Sequence, residues 1–433
     1  MELLDKLGSV TNHIVSKGTL KYIIVIMTFS LAYVLVHLVT QRGSITPSLM
    51  NIKYPQHPPP EIAPSYHDNA TAPLLQKGQE QKIIQQINEL SNSPGSHWMY
   101  HMNYKNLLHS PRPTYLPHYR SPCSEVDSSI LCLPSVYLAG MPKCGTSELF
   151  SKLALHSDIL KTKKETHWWT RRRFTKDEAD EYPTIGTYMN TYFKEASEEI
   201  SKRCYHEGNM CYHGDIIVDA SASTLWDYRD WKLLPGNENK IEPVILNAHH
   251  IKHLTPDVKI IIILRNPIDR LYSDYLYFAH TKTSVNEFHK KVRISIELFS
   301  ECLETNSLRQ CAYNATVCRK LPVRLHVGLY SIFVNDWLNI FPRDQFHFLS
   351  LEEYSKDKSS AMKDIFKFLM LATPPASYFD QIDNLPNKNS RKKKDQRKGE
   401  MMPRTREILR KFYLPFNRHL VETLKDEQFA YWS

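Results

Sequence analysis

Ser135-Val-Tyr-Leu-Ala-Gly-Met-Pro-Lys-Cys-Gly-Thr-Ser-Glu-Leu-Phe150 reads as a short buried strand over 135–139, a turn with two glycines and a lysine, and a helix opened by Thr146 and Ser147. A strand that delivers the chain into such a turn aims backbone N–H groups and the positive helix end at a bound anion, with Lys143 as a point charge. The turn is not a Walker A loop, in which a lysine follows the second glycine; here Lys143 precedes Gly145 and none follows it. On its own the pattern suits a plain lysine-bearing turn as well as a phosphate cradle.

Outward from this stretch, short apolar runs alternate with helical patterns, which argues for an α/β fold, a parallel sheet flanked by helices. Asp215-Ile-Ile-Val-Asp219 and Gln345-Phe-His-Phe-Leu-Ser350 read as further strands, and Val258-Lys-Ile-Ile-Ile-Ile-Leu264 is the strongest buried-strand pattern in the chain. Helices are expected over Ser147–Leu155, near Ile268–Ala279 and over Thr405–Leu424. The strong strand runs into Arg265-Asn-Pro-Ile-Asp-Arg-Leu-Tyr-Ser273, which puts Arg265 at a strand's C-terminal edge, where open α/β sheets bind ligands. Arginine there can grip a phosphate through two parallel bonds while Ser273 adds another. A surface ion pair accounts for Arg265 equally well on that residue alone.

The 433 residues exceed the roughly 250–300 that one core usually serves, so a large domain with appendages is expected. With 42% apolar and 23% charged residues, a disordered, collagen-like or polytopic membrane chain is excluded. Lys plus Arg is 55 against 46 for Asp plus Glu, and the net charge of +9 suits an anionic partner without the density of a nucleic-acid binder. Tyr22–Thr40 holds no acid, lysine or arginine over 19 positions. As a helix that run spans about 29 Å, enough for a bilayer core. Lys17 and Lys21 precede it and Arg42 follows, so it reads as an uncleaved signal-anchor with residues 1–21 in the cytoplasm; a cleaved signal peptide is the alternative. Residues 41–130 read as a stem, proline-rich over 54–64, with one short helix over Leu75–Leu90 and a proline-broken segment over Asn103–Ser121. Folded texture is expected over 131–433. In this topology the sequons at Asn69 and Asn314 face the lumen. The pairs Cys123/Cys132 and Cys204/Cys211 and the trio Cys302/Cys311/Cys318 suit short disulfide loops in an oxidising compartment, buried free thiols being the alternative. Cys144, inside the anion loop, is left unpaired.

Pro142-Lys-Cys-Gly-Thr-Ser147 resembles the 5′-phosphosulfate loop of the Golgi carbohydrate sulfotransferases, and Arg265-Asn-Pro followed by Ser273 resembles their 3′-phosphate motif, in the family's order. Lys164-Glu-Thr-His-Trp-Trp169 and Phe412-Tyr-Leu-Pro-Phe-Asn417 extend the resemblance, which covers about residues 131–432. It implies a P-loop-like sulfotransferase domain with PAPS (3′-phosphoadenylyl sulfate) as donor, a single-pass type II protein of the Golgi membrane, and a lumenal catalytic domain. The implied acceptor is an anionic glycosaminoglycan, foremost the 6-hydroxyl of N-acetylgalactosamine 4-sulfate in chondroitin or dermatan sulfate; heparan sulfate or uronyl residues are the alternative. Donor contacts are implied for Lys143, Cys144, Gly145, Thr146, Ser147, Arg265 and Ser273, with Lys398 and Gly399 in a loop over the donor. A Cys302–Cys311 disulfide is implied as well, its nine-residue separation suiting a local loop, and Cys318 then lacks an obvious partner.

In-line sulfuryl transfer needs charge stabilisation at the leaving oxygen, which falls to Lys143, and a base for the sugar hydroxyl. Glu165, 22 residues beyond Lys143, resembles the family's glutamate base, and His167 is the competing base. Trp168 or Trp169 is expected to stack on a sugar, and Arg171, Arg172 and Arg173 to meet acceptor anions; core aromatics and solvated charges are the plainer readings. The segment Asp219–Trp226 is expected to border the acceptor cleft, with Ser221 in it. It departs from heparan 3-O-sulfotransferases, which carry a lysine where Ala220 stands, and this weighs against a heparan acceptor. Arg391–Lys398 holds six basic residues in eight, a solvated loop unless it covers the donor. No tight His/Cys/carboxylate set is visible, so no metal is expected. A nucleotide-dependent kinase is disfavoured by the missing Walker lysine. A non-catalytic glycosaminoglycan-binding protein is disfavoured by the intact set Lys143, Glu165, Arg265 and Ser273. No nucleic-acid partner is expected, and a homodimer is left open.

Overall fold

A computed structural model describes residues 97–207, 210–278, 283–385 and 397–432. The expected anchor at 22–40, the first part of the stem with Asn69 and the Leu75–Leu90 helix, and most of the basic run from Arg391 lie outside the described residues. Among the described residues no helix is long and apolar enough to cross a membrane.

In chain order the strands are β1 (Cys123–Val126), β2 (Ser129–Cys132), β3 (Val136–Gly140), β4 (Tyr205–Glu207), β5 (Met210–Tyr212), β6 (Val218–Asp219), β7 (Lys259–Leu264) and β8 (Phe346–Ser350). The central sheet has the order β6–β3–β7–β8 and is parallel throughout. The isoleucines at 260–263 are fully buried, as a strand covered by helices on both faces requires. Antiparallel hairpins β1–β2 and β4–β5 stand apart from the sheet, and each is bridged by a disulfide, Cys123–Cys132 and Cys204–Cys211. Helix Thr146–Leu153 follows β3 and helix Pro267–Phe278 follows β7, close to the expected ranges. Helix Pro403–Leu424 packs on helix Tyr330–Leu338.

Two expectations are corrected. The strand expected over 215–219 is regular only at Val218 and Asp219, because Ile216 pairs with Ile159 in an isolated bridge and buried Asp215 turns to Arg203 at 3.1 Å. The packed body also begins before Leu131: Met99, Met102, Leu107, Cys123 and Val126 are all buried in the single core. Prolines erase any helical or strand period there, yet tertiary bonds fix the segment, such as Tyr115 donating to the Leu254 carbonyl at 2.8 Å. The third disulfide joins Cys302 to Cys311 with Cα atoms 5.9 Å apart, and Cys144 and Cys318 are free thiols.

Candidate active site

Each strand of the central sheet hands its C-terminal end to one cavity of about 490 Å³. The turn after β3 supplies Lys143, Gly145, Thr146 and Ser147; the segment after β6 supplies Ala222, Ser223 and Trp226. Beyond β7 come Arg265 and Ser273, and beyond β8 come Leu351 and Ser355. Convergence at the carboxyl edge is what an open α/β sheet offers a ligand.

Gly145 stands immediately before helix Thr146–Leu153 with φ +88°, and a Cβ there would lie 2.7 Å from Leu351 Cδ1, so the position demands glycine twice over. The amides of Thr146 and Ser147, without an earlier helical turn to bond, open onto the cavity their side chains line. Lys143 places its ammonium 3.6 Å from the Tyr277 ring centre. Burial lowers the pKa of that ammonium most; Asp274 opposes the shift, and Arg265 and Arg324 add to it. Arg265 directs Nη1 to 3.5 Å from the Lys143 carbonyl, while its own carbonyl accepts from the Tyr330 hydroxyl at 2.9 Å.

The opposite wall is built by the segment running beside β6. Leu160 N–H donates to the Ile216 carbonyl (3.0 Å), Thr162 Oγ1 to that of Val218 (2.8 Å) and Glu165 N–H to that of Ala220 (3.1 Å), which walks the chain up to the cavity. There Glu165 and His167 adopt left-handed φ values of 62° and 50°. Glu165 Oε2 accepts from the Ala222 N–H at 3.1 Å and lies 3.6 Å from His167 Nε2, and Oε1 pairs with Lys164. His167 Nδ1 sits 2.8 Å from Ser223 Oγ. Burial lowers the pKa of His167, Glu165 opposes that, and Arg171 reinforces it. Beneath them, the buried Asp219 carboxylate accepts from Thr166 Oγ1 (2.8 Å) and Tyr188 (2.6 Å), and burial raises its pKa.

Of the residues expected at the site, Lys143, Gly145, Thr146, Ser147, Glu165, His167, Arg171, Arg265 and Ser273 share this cavity. Arg171 does so already paired to Asp227 at 2.8 Å. Others fall elsewhere. Trp168 is 2% exposed and stacked on Tyr188, so it offers no ring face to a sugar. Ser221 is buried, bonding Thr166 Oγ1 at 3.0 Å and the His167 N–H at 3.1 Å, and shapes the Glu165 segment from behind. Arg172 is exposed outside the cavity. The Cys144 thiol is buried 3.7 Å from the Tyr330 hydroxyl, its pKa pushed up to about 12 by burial, and the residue does not line the cavity. Lys398 and Gly399 do not line the cavity; Gly399 accepts from Tyr272, the neighbour of Ser273, at 3.0 Å, and Lys398 bonds Thr283. Asn314 is exposed and caps helix Ala315–Lys320 through its Oδ1.

Sequence reasoning overlooked Tyr277, Phe278 and Arg324, all in the lining, whereas Ala222, Ser223 and Trp226 come from the 219–226 segment expected beside the cleft. Helical spacing from Ser273 could have found Tyr277 four residues on; nothing local marks Arg324. Among the described residues no group of three or more His, Cys, Asp or Glu side chains is gathered to hold a metal.

A cradle of backbone donors and cations facing a carboxylate and a histidine can bind a polyanion and deprotonate a hydroxyl beside it. Residues 133–423 match the sulfotransferase domain, and the chain belongs to that family. Over 314 residues it is 38% identical to carbohydrate sulfotransferase 15 of Mus musculus and, equally, of Homo sapiens, a match that takes in 69% of this chain and 55% of each relative. The chain thus spans little more than half the length of these relatives. It is 23% identical over 299 residues to the heparan sulfate glucosamine 3-O-sulfotransferase 3B1 of Mus musculus, covering 66% of this chain and 62% of that one. A solved sulfotransferase from Alicyclobacillus acidocaldarius aligns over 70% of this chain and 99% of its own, at 23% identity and a TM-score of 0.42.

Proposed function

We propose that this protein is a PAPS-dependent carbohydrate O-sulfotransferase acting on an anionic glycosaminoglycan, with the 6-hydroxyl of N-acetylgalactosamine 4-sulfate as the acceptor to test first. The observation that carries the reading is the convergence of Lys143, the 145–147 turn, Arg265 and Ser273 opposite Glu165 and His167 in one cavity. The 38% identity to proteins named carbohydrate sulfotransferase 15 supports the acceptor class. In the same reading residues 22–40 anchor the chain in the Golgi membrane and the catalytic body lies in the lumen.

The residues present fit an anionic nucleotide: four cations, Lys143, Arg171, Arg265 and Arg324, line the cavity together with the open helix end at Gly145. Bound PAPS would supply the activated sulfuryl group and a phosphate leaving group. Arg265 and Ser273 hold the 3′-phosphate, while the Thr146 and Ser147 amides and hydroxyls hold the 5′ side. Lys143, its ammonium now 3.6 Å from the Tyr277 ring centre, would neutralise charge that grows on the leaving oxygen. Glu165 takes the acceptor hydroxyl's proton, and His167, tied to Ser223, orients Glu165.

The test is transfer of labelled sulfate by the detergent-purified full chain to chondroitin 4-sulfate, dermatan sulfate and heparan sulfate, with disaccharide analysis of the products. Disulfated N-acetylgalactosamine is the expected product. Label in heparan disaccharides alone would overturn the acceptor, and PAP binding without transfer to any acceptor would overturn the enzyme.

A further inference from the structure

We propose that Arg324 is a catalytic residue of this cavity, its guanidinium gripping the oxygens of the sulfuryl group in transfer. The inference rests on the sulfotransferase reading above and adds a residue that no motif in the sequence singles out.

Arg324 spans the two walls. On the donor side its Nε donates to Asp274 Oδ2 at 2.8 Å and Nη2 to Asp274 Oδ1, and its guanidinium carbon lies 4.2 Å from the Phe278 ring centre. Asp274 and Phe278 belong to the helix that carries Ser273. On the other side the same carbon lies 5.5 Å from the ring of Trp226, which follows Ala222 and Ser223 of the Glu165 wall. Between those walls is where a group passing from donor to acceptor must be.

The residue is held still. Buried Arg270 donates to the Arg324 carbonyl at 2.9 Å, Tyr413 donates to the next carbonyl, Leu325, at 2.8 Å, and a Cβ on Gly328 would come within 2.8 Å of the Tyr413 ring. Asp274 engages the Nε–Nη2 edge of the planar fork, which leaves the Nη1 edge for a ligand's oxygens. Lys143, Arg265 and Arg324 crowd one another, with Arg265 and Arg324 both opposing the Lys143 charge and Asp274 favouring it most. An anion bound among them relieves that repulsion.

In the step itself the acceptor oxygen forms a bond to sulfur as the bond from sulfur to the 5′-phosphate oxygen of PAPS breaks. The electron pair leaves with that phosphate oxygen beside Lys143, and the hydroxyl proton goes to Glu165. Arg324 donates to the equatorial sulfuryl oxygens, while Lys143 serves the leaving oxygen and Arg265 the 3′-phosphate.

The test uses Arg324→Ala and Arg324→Lys in the full chain. Lysine keeps the charge and the Asp274 pairing but loses the fork; in the alanine variant Asp274 still has Arg270 at 3.5 Å. PAP lacks the sulfuryl group, so calorimetry without acceptor should show PAP affinity within about twofold of wild type and PAPS affinity about tenfold weaker in Arg324→Ala. Single-turnover transfer should fall about 10²-fold or more in Arg324→Ala and stay at least about tenfold down in Arg324→Lys. Equal losses for PAP and PAPS would make Arg324 a phosphate clamp and overturn the proposal, as would unchanged transfer in both variants or a raised acceptor KM at unchanged kcat. If wild type transfers nothing yet PAPS and PAP separate as expected, the enzyme reading fails while the sulfuryl contact stands.

Discussion

Replacing Glu165 by glutamine isolates basicity from shape. In Glu165→Gln the carboxamide oxygen can accept the Ala222 N–H that Oε2 accepts now at 3.1 Å, so the left-handed turn keeps its anchor. The lost partner is Lys164, at a side chain about a third exposed, where an ion pair adds little to stability. A positioned base contributes about 10²–10⁴-fold in rate, which is about 2.7–5.4 kcal/mol of barrier, and that is the expected loss in kcat. PAP affinity should stay near wild type, because Glu165 belongs to the segment beside β6 while Arg265 and Ser273 follow β7, with β3 between those strands. His167 does not substitute well: burial makes its imidazole a weaker base than usual, and Nδ1 is committed to Ser223 at 2.8 Å. His167→Ala is therefore expected to cost less than Glu165→Gln. Single-turnover sulfate transfer at saturating donor and acceptor, read beside PAP calorimetry, measures both. Near wild-type transfer by Glu165→Gln with a collapse in His167→Ala would refute this assignment and make His167 the base.

Arg265→Ala should weaken PAP binding by about 1.5–3 kcal/mol, the scale of a charge-assisted pair, and unchanged calorimetric binding would remove Arg265 from the nucleotide site. Gly145→Ala should cost about 1–2 kcal/mol in urea melts from its φ of +88° alone; adding Leu351→Ala relieves the 2.7 Å clash but not that part, so full recovery in the double variant would refute the backbone account. His326 is buried, and burial, reinforced by Arg324 and Arg270, pushes its pKa down to about 3. The unfolded chain takes up this proton near pH 6.5 and the folded chain only near 3, so stability falls as pH drops through that window, by about 1.6 kcal/mol between 6.5 and 5. Denaturant melts over that range should be flatter for His326→Phe, and equal slopes would show that His326 does not carry the effect.

Legibility in the sequence follows the range of the interactions. The strand–turn–helix at 135–153 is readable because local rules set it: an apolar run, two glycines, and hydroxyls opening a helix. The run at 258–264 is readable because only a strand buried on both faces is isoleucine-rich without alternation. Trp168 is misjudged because the sequence does not show Tyr188 arriving from a later helix to pack on both tryptophans, and Trp169 is just as buried, its indole N–H spent on Tyr137 at 3.2 Å. Cys144 sits between cavity residues Lys143 and Gly145 yet points to Tyr330, because a turn with left-handed φ at Lys143 and Gly145 throws alternate side chains to opposite sides. The early core around Met99 and Leu107 escapes because prolines leave no periodicity for a pattern to follow.

Arg324 is the least legible residue for a related reason, and its setting links fold to chemistry. Its carboxylate partner is 50 residues away in the chain, and its place depends on Arg270, Tyr413 and Gly328 meeting only after the sheet has closed. Asp274 stands behind two cations that must remain charged while partly buried, so it lowers the cost of holding Arg324 and Lys143 close together. It does so without entering the cavity lining, and the carboxylate that the lining holds beside the turn, Glu148, is paired with Lys152 and Lys358. On the far wall the arrangement is reversed: Glu165 lines the cavity, and the carboxylate behind it, Asp219, is shielded by Thr166 and Tyr188 hydroxyls instead of a cation. In the proposed mechanism the charge that attracts phosphate is thus backed by an acid, and the proposed base, Glu165, has beside it only Lys164 and a histidine whose pKa burial lowers. That asymmetry is what an enzyme needs if one side of a cavity binds a polyanion and the other side activates a neutral hydroxyl.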